Sequence, residues 1–510
     1  MEKKGAQRLE VLDLLEEHGG KRTGVSEQVG RQTGVPAADV YGVATFYSLL
    51  DRPDAGIRVC QGLTCKMAGA DELLEALAAD NVPHEAVSCL GQCDRAPVAI
   101  DPGLELHQMG ERGGVTPDDP ELPMNLGGPE DPSWAAFARA QELGADGILT
   151  ALEASGLQGR GGAGFPAAFK WRSVASQAEP QRYVVVNADE GEPGTFKDRE
   201  VMLRRPHLML EGMVIAAFAA GADTAFIYIR GEFPECRRSL QRALSETSAD
   251  LSWLDICFIA GHGAYICGEE TALLEAIEGR RGMPRQKPPY PTEAGLWGKP
   301  TLMNNVETLC CVPSILLRGG EWFKAQGRTE AGSKLYCISG DIVRPGVYEL
   351  PLGVGLDELV EAAGGYIGTP QAFSPGGASS GFLPMSERNR PLDFASLTEV
   401  GSMLGSAGVV VLNDDVDMAK AVLWQQVFFE DETCGQCTPC RVGCSVQRQA
   451  IDRYLDSGDP AALEHHAEVA WEMDEGSICG LGMVASLPLQ SALEHFPDSF
   501  EQRESGKNTP

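Results

Sequence analysis

The apolar positions change rhythm several times along the chain, and each change marks a candidate unit. Leu9, Val11, Leu12, Leu14 and Leu15 recur with helical spacing until Gly19 and Gly20 stop them. A second short helical pattern covers 26–34, and Pro36 stands at the first position of a third that runs to Tyr47. Residues 56–60 read as a strand, 71–79 as a helix and 86–89 as another short strand, which is the alternation of a small α/β unit. Residues 102–134 are rich in Pro, Gly and acids and read as a linker or an extended covering segment. From 135 to 330 strands alternate with helices: the apolar runs at 183–187 and 224–229 read as buried strands, with a helix over 206–220 between them. Residues 333–400 hold short strands around 343–348 and a helix at 356–363, and 415–500 are mainly helical.

The predicted architecture is therefore α/β and multidomain. A helical segment covers 1–50, a small α/β domain 51–110, a linker 111–134, a larger α/β domain 135–330, a small β-rich domain 331–405 and a helical domain 406–510.

Composition narrows the class. The 510 residues give room for roughly three to four domains at about 100–200 residues each. With 43% hydrophobic and 23% charged residues, the chain is neither disordered nor fibrous as a whole. Its longest weakly polar stretch, 213–222, is too short for a membrane helix, which needs about 20 residues. The N-terminus is charged and has no apolar signal core, so a cytoplasmic location and no membrane insertion are expected. The net charge of −31 repels nucleic acid phosphates and anionic membranes, which leaves protein subunits with complementary patches as the expected partners. Fifteen cysteines without an export signal point to metal ligation rather than to disulfides.

The sharpest chemical signal is Cys434-x2-Cys437-x2-Cys440 with a distant Cys479. Three thiolates at this spacing can wrap one corner of a cube and a fourth closes it, which is the ligation logic of a [4Fe–4S] cluster. A four-cysteine zinc site normally uses two separate pairs, so the run of three fits zinc poorly. Cys444 reads as a bystander. A second set, Cys60-x4-Cys65 with Cys89-x3-Cys93, suits the two irons of a [2Fe–2S] cluster, and zinc stays open there.

Gly159, Arg160, Gly161, Gly162 and Gly164 satisfy G-x-G-x-x-G, but the segment before them reads as a helix rather than the strand of a dinucleotide fingerprint. Their backbone N–H groups, with Arg160 and Lys170 nearby, can still approach a phosphate. Asn187, Asp189, Glu190 and Glu192 follow the predicted strand 183–186, where an open α/β sheet places its ligands. Gly268, Glu269, Glu270, Asn304 and Asn305 end apolar segments in a similar way. Together these groups imply an organic redox cofactor wired to iron–sulfur centres; the competing reading is a zinc-stabilised assembly scaffold without flavin.

The motifs Gly159-Arg-Gly-Gly-Ala-Gly-Phe-Pro, Asn187-Ala-Asp-Glu-Gly-Glu-Pro-Gly-Thr-Phe, Gly263-Ala-Tyr-Ile-Cys-Gly-Glu-Glu, Asn304-Asn-Val-Glu-Thr and Cys434-Gly-Gln-Cys-Thr-Pro-Cys-Arg resemble the flavin subunit of respiratory complex I and its relatives. Gly42-Val-Ala-Thr-Phe-Tyr and Cys89-Leu-Gly-Gln-Cys resemble the small thioredoxin-like [2Fe–2S] subunit of the same enzymes, here fused to the first. The fusion and the ending His495-Phe-Pro-Asp-Ser-Phe look most like the diaphorase subunit of soluble NAD-dependent molybdenum or tungsten formate dehydrogenases. The flavin subunits of NAD-reducing hydrogenase and of NADH:quinone oxidoreductase are the rivals.

The resemblance implies a thioredoxin-like domain at 51–110, a Rossmann-like FMN domain at 135–330, a β-grasp-like domain of SLBB type at 331–405 and a [4Fe–4S] helical bundle at 406–510. It implies FMN held by the glycine loop with Lys170, Asn187, Asp189, Gly268, Asn304 and Asn305. NAD(H) would lie against Phe165, Glu192, Glu270, Lys287 and Tyr290, and Glu190, Tyr265 and Glu269 count among the cofactor-binding residues. The implied partners are a metal-pterin formate dehydrogenase subunit and a small [2Fe–2S] subunit. Three departures from the family pattern stand out: Ser173 where some relatives have an aromatic, His262 where a small residue is expected near the flavin loop, and only 23 residues between Cys65 and Cys89.

Overall fold

The computed structural model describes residues 3–108 and 110–502, with side chains described from Arg8 onward, that of Gln108 apart. Four short helices, Lys3–Glu17, Val25–Thr33, Ala37–Ala44 and Ser48–Asp51, open the chain. Val11, Leu12, Leu15, Val29, Val40 and Tyr47 pack with Tyr228 and Leu273, so this segment is bound to the central domain by apolar burial. Tyr47 Oη also donates to the carbonyl of Arg280 at 2.7 Å.

The small α/β unit is a four-stranded sheet in the order His84–Val87, Ile57–Cys60, Ala99–Ile100, Leu106–Gln108. Its first pair is parallel and its second antiparallel. The central domain is built on four parallel strands in the order Asp255–Ala260, Thr224–Ile229, Tyr183–Ala188, Thr301–Asn305. Chain order reverses between Tyr183–Ala188 and Thr301–Asn305, so the crevice beyond their C-terminal ends is a topological switch point. The helix Pro206–Ala220, between Tyr183–Ala188 and Thr224–Ile229 in the chain, is apolar nearly all round and lies within the main core.

A mixed six-stranded sheet follows, in the order Leu383–Pro384, Pro370–Ser374, Gly408–Asn413, Ser333–Gly340, Gly346–Pro351, Gly114–Val115. Two of its members depart from the sequence reading. Gly408–Asn413, assigned by sequence to the helical domain, is a fully buried interior strand of this sheet. Gly114–Val115, assigned to the linker, pairs at its edge with Gly346 and Val347. The rest of that segment is a packed strap: Met124, Leu126 and Trp134 are buried, and Glu349 accepts the N–H groups of Met124 and Asn125 at 3.1 and 2.8 Å. Composition reported the absence of periodic structure there, but not the burial of its few apolar side chains.

The C-terminal helices Met418–Glu432, Thr438–Ser457, His466–Gly476, Gly480–Val484 and Leu487–His495 form a bundle. Among the described residues no helix is long and apolar enough to cross a membrane.

Candidate functional site: a flavin-type cavity and two thiol sets

A cavity of about 470 Å³ opens at the switch point, within the ordinary range for cofactor sites. Asn187 and Asp189 reach it from the end of Tyr183–Ala188, and Asn305 from the end of Thr301–Asn305. Gly161 and Gly162 line it from the glycine loop, Tyr265, Gly268 and Glu269 from the turn after the strand Asp255–Ala260. Ser379 and Ser406 come from the mixed-sheet domain, and Gly480 and Leu481 from the helical domain. Three domains therefore share one cavity.

The glycine loop is drawn together by the Gly159 N–H, which donates to the carbonyl of Phe165 at 2.8 Å. A Cβ on Gly161 would stand 2.9 Å from Asn305 Cβ, so a bare glycine lets the loop lie on the strand end. Asp189 is buried, and its Oδ2 has no hydrogen-bond partner among the described residues. Burial pushes this carboxyl well above the carboxylate range, against the pull of Arg230. Gly268 faces the same oxygen, and a Cβ there would lie 3.8 Å away. A glycine cradle beside an unpaired buried oxygen fits a flat ring bearing a hydroxylated chain, as FMN has.

Glu192 is locked at the cavity wall. Its Oε1 accepts the Ser379 N–H at 2.9 Å, and its Oε2 accepts the Ser379 hydroxyl at 3.2 Å and the Tyr265 hydroxyl. Burial raises its carboxyl despite these hydrogen bonds. From Glu269 outward runs a ladder of alternating charge: Glu269 to Lys287 at 2.9 Å, Lys287 to Glu270 at 3.0 Å, Glu270 to Lys170 at 3.0 Å. Burial alone would raise Glu270, but Lys170 and Lys287 outweigh it and hold the carboxyl below its ordinary range. Beyond this ladder Phe165, Phe169 and Tyr290 expose about half or more of their surface, unusual for large apolar groups. Phe165 and Phe169 meet edge to face at 5.7 Å.

Three expected cofactor residues are placed differently. Arg160 is fully buried behind its loop and donates to the carbonyl of Ala331; it braces the loop and does not line the cavity. Asn304 neighbours Asn305 on one strand, so their side chains take opposite faces. Only Asn305 reaches the cavity, while Asn304 Oδ1 accepts the Trp171 indole N–H at 2.9 Å. Glu190 lines the cavity, but its carboxylate accepts the N–H groups of Asp198 and Arg199 at 2.7 and 2.9 Å, at the start of the helix Lys197–Arg204. Burial and the nearby Asp198 push it up to about 8.

Sequence reasoning missed Lys197, Asp198 and Ser379 as cavity residues. Lys197 is buried and paired with Asp198 and Glu307 at 2.7 and 3.1 Å, and Asp198 also accepts from Asn305 at 2.6 Å. The only local signal was a charged run directly after a cofactor-type motif. Ser379 lies 187 residues from its partner Glu192, and no local pattern marks it.

The C-terminal cysteine set adjoins this cavity through the segment that follows Cys479, and Cys89 of the N-terminal set lines a second cavity. Cys434, Cys437, Cys440 and Cys479 share one small core, Cys437 and Cys479 standing directly before the helices Thr438–Ser457 and Gly480–Val484. The cavity residues Gly480 and Leu481 follow Cys479 in the chain. Cys444, 4.0 Å from Cys440, and Thr433, 3.1 Å from it, share hydrogen bonds that lower the Cys440 thiol to about 7, favouring the thiolate a metal needs. Cys60, Cys65, Cys89 and Cys93 are all buried, with Gly62 between them where a Cβ would lie 3.7 Å from Cys60 Sγ and 3.9 Å from Cys89 Sγ. Two four-thiol sets in small apolar pockets fit clusters with bridging sulfide.

A second cavity, of about 480 Å³, is lined by Cys89 of one set, Cys434 of the other, and Asp189 of the first cavity. All three candidate redox sites thus border one polar space.

Comparison with known proteins agrees with this layout. Residues 152–314 match the family described as Nuo51 FMN-binding domain, and 420–503 the NADH-ubiquinone oxidoreductase-F iron-sulfur binding region. Residues 1–103 match the thioredoxin-like [2Fe-2S] ferredoxin family and 335–383 the SLBB domain. One of two NADH-quinone oxidoreductase F subunits of Rhizobium meliloti (strain 1021) is 45% identical over 371 residues, covering 70% of this chain and 88% of that protein. The F subunit of Rickettsia typhi (strain ATCC VR-144 / Wilmington) is 44% identical, covering 72% and 92%. A chain of an NAD+-reducing [NiFe]-hydrogenase, solved in the air-oxidised state, superposes with a TM-score of 0.88 at 31% identity over 98% of this chain and 94% of that one. With FMN-binding, [4Fe–4S], thioredoxin-like [2Fe–2S] and SLBB domains in place, the protein belongs to the family of NADH-quinone oxidoreductase F subunits.

Proposed function

We propose that this chain is the diaphorase unit of a multi-subunit redox complex, exchanging hydride between NAD(H) and FMN and passing single electrons through its clusters. The observation that carries the reading is the continuity of the flavin-type cavity with the Cys479 segment: Gly480 and Leu481 belong to both. Bound FMN supplies two-electron chemistry toward the nicotinamide and one-electron chemistry toward iron–sulfur centres. Every other role is one of binding and orientation.

Gly161, Gly162, Asn187, Asp189, Gly268 and Asn305 would hold the flavin. Glu192, fixed by Tyr265 and Ser379, would orient the nicotinamide. Lys170 would join the flavin-holding residues, Glu270 and Lys287 would line the NAD(H) site, and Phe165 and Tyr290 offer faces for adenine stacking. Holding both rings in one cavity turns a bimolecular hydride transfer into a positioned one, with no protein acid or base required. The cysteines of 434–440 with Cys479 would hold the [4Fe–4S] cluster, and Cys60, Cys65, Cys89 and Cys93 the [2Fe–2S] cluster. Matches to two iron–sulfur families weigh against the zinc scaffold.

Within this reading we take the partner to be the metal-pterin subunit of a formate dehydrogenase, working toward NAD+ reduction in the cytoplasm. Its support is the motif His495-Phe-Pro-Asp-Ser-Phe; the fused thioredoxin-like domain is common to both readings. A second reading, the flavin subunit of an NAD-reducing hydrogenase, is favoured by a likeness that extends over 98% of this chain. NADH-driven reduction of an artificial acceptor by the purified chain tests the diaphorase activity, and an FMN-loaded chain without it refutes the reading. Co-purification separates the partners: a molybdopterin subunit supports the first, a nickel–iron subunit the second.

A further inference from the structure

Arg230 follows the strand Thr224–Ile229 and is buried, with every guanidinium nitrogen engaged. Nη1 donates to the carbonyl of Glu190 at 2.9 Å. Nη2 donates to the carbonyl of Cys89 at 2.6 Å and to Glu232 Oε1 at 2.8 Å. Nε donates to Glu232 Oε2 at 3.2 Å, and the guanidinium sits 5.2 Å from the centre of the Phe233 ring. One side chain therefore touches the backbone of a flavin-cavity residue and the backbone of a cysteine in the N-terminal set.

Arg199, also fully buried, holds the same cysteine loop further along. It donates to the carbonyl of Gly91 at 2.9 Å, to Asp94 Oδ1 at 2.8 Å and to the Gln92 side chain. The loop that carries Cys89 and Cys93 is thus gripped by two arginines of the central domain. Gly91 is confined as well, because a Cβ there would meet the Phe233 ring at 2.6 Å.

We infer that Arg230 is a positioning residue that fixes the Cys89 loop against the flavin cavity and raises the reduction potential of the cluster held there. This rests on the reading that Cys60, Cys65, Cys89 and Cys93 hold a [2Fe–2S] cluster. In the step concerned Arg230 would exchange neither electron nor proton, the one electron gained by a bound cluster being the one given up by a reduced flavin. A buried cation beside a centre that gains negative charge favours the reduced form, with little screening by water. Cluster potentials follow local charge and hydrogen bonding in this way. Glu232 offsets part of that charge through its two hydrogen bonds to Arg230. The two residues therefore act with opposite sign.

The test is an EPR-monitored redox titration of the full chain carrying FMN and both clusters. In Arg230→Gln the reduced-to-oxidised ratio of the [2Fe–2S] centre at fixed potential falls about tenfold, a shift of about 59 mV for one electron. In Glu232→Gln the same midpoint rises, and in both variants the [4Fe–4S] midpoint stays at its wild-type value. A merely structural contact would not give shifts of opposite sign confined to one cluster. Unmoved midpoints, or shifts in the same direction, overturn the inference. If Arg230→Gln does not retain the cluster, Glu232→Gln decides alone: a raised midpoint supports the inference and an unmoved one overturns it. A wild-type chain with no [2Fe–2S] signal would sink the ligand assignment, and this inference with it.

Discussion

Glu192 of the parallel-sheet domain accepts the backbone N–H of Ser379 of the mixed-sheet domain at 2.9 Å, so one wall of the flavin-type cavity is made across a domain boundary. The Tyr265 hydroxyl completes the clamp. A carboxylate held by three donors is restricted in position, and hydrogen bonds to a charged group are worth about 1.5–3 kcal/mol each. Glu192→Ala should lower kcat/KM for NADH by at least about tenfold, equivalent to about 1.4 kcal/mol, while flavin content stays at the wild-type level. Tyr265→Phe should do the same to a smaller degree. Steady-state kinetics beside flavin absorbance check both, and unchanged kcat/KM in Glu192→Ala would remove this residue from the nicotinamide site.

The charge ladder makes a pH prediction. Lys170 and Lys287 hold Glu270 below its ordinary value of 4.5. Removing one cation in Lys287→Ala lets burial win back ground, so the Glu270 carboxyl titrates at higher pH. The acid limb of the NADH-oxidation profile should move upward relative to wild type, and KM for NADH should rise. A profile that superposes on the wild type would separate Glu270 from turnover.

Gly161 is a volume prediction. Its Cα lies where an added methyl would meet Asn305 Cβ at 2.9 Å, on the cavity floor. Overpacking of this kind costs about 1–3 kcal/mol. Gly161→Ala should therefore weaken FMN retention by about tenfold to a hundredfold, read by the recovery of flavin fluorescence on dilution. Iron content should not change.

Cys479→Ser should abolish the C-terminal cluster. Iron should drop from about six to about two atoms per chain if both clusters are present in the wild type. Rapid-mixing absorbance should still record flavin bleaching by NADH, but acceptor reduction that depends on the [4Fe–4S] centre should be lost. Full iron content in the variant would exclude Cys479 as a ligand.

Glu349 predicts how the strap responds to pH. Burial pushes its carboxyl up to about 7, despite hydrogen bonds from Ser333, Met124 and Asn125. A folded value above the unfolded 4.5 means that the native state holds the proton more tightly, so stability falls as pH rises from about 4.5 to about 7 and stays lower above that. Glu349→Gln cannot ionise. The drop in melting temperature between about pH 5 and pH 8 should be smaller in this variant than in wild type, and an equal drop would place the pH dependence elsewhere.

Much of this was legible locally. Apolar runs over 183–187 and 224–229 became neighbouring parallel strands, and the helix between them runs Pro206–Ala220 as its pattern implied. Cys434, Cys437 and Cys440 share one small core with Cys479, because a turn and a helix start suffice to bring thiols three residues apart together. A cation beside glycines reads as a group near a phosphate, whereas the tertiary structure turns the Arg160 guanidinium to the carbonyl of Ala331. The resemblance implies both Asn304 and Asn305 at the flavin, whereas a strand turns successive side chains to opposite faces and only Asn305 lines the cavity.

What the amino-acid order alone determined was the chemistry on offer: two sets of thiols, a glycine loop, acids at strand ends, and the periodicities that form each element. Tertiary structure decided which of these groups share a space. Ser379 meets Glu192, Arg230 meets Cys89, Leu481 borders the same cavity as Asp189, and Gly408–Asn413 lies inside a sheet rather than in the bundle. The reason is physical. Secondary structure follows from interactions a few residues apart, but a cavity wall forms where domains bury apolar surface against one another, and polar groups carried into that contact must find partners from distant parts of the chain.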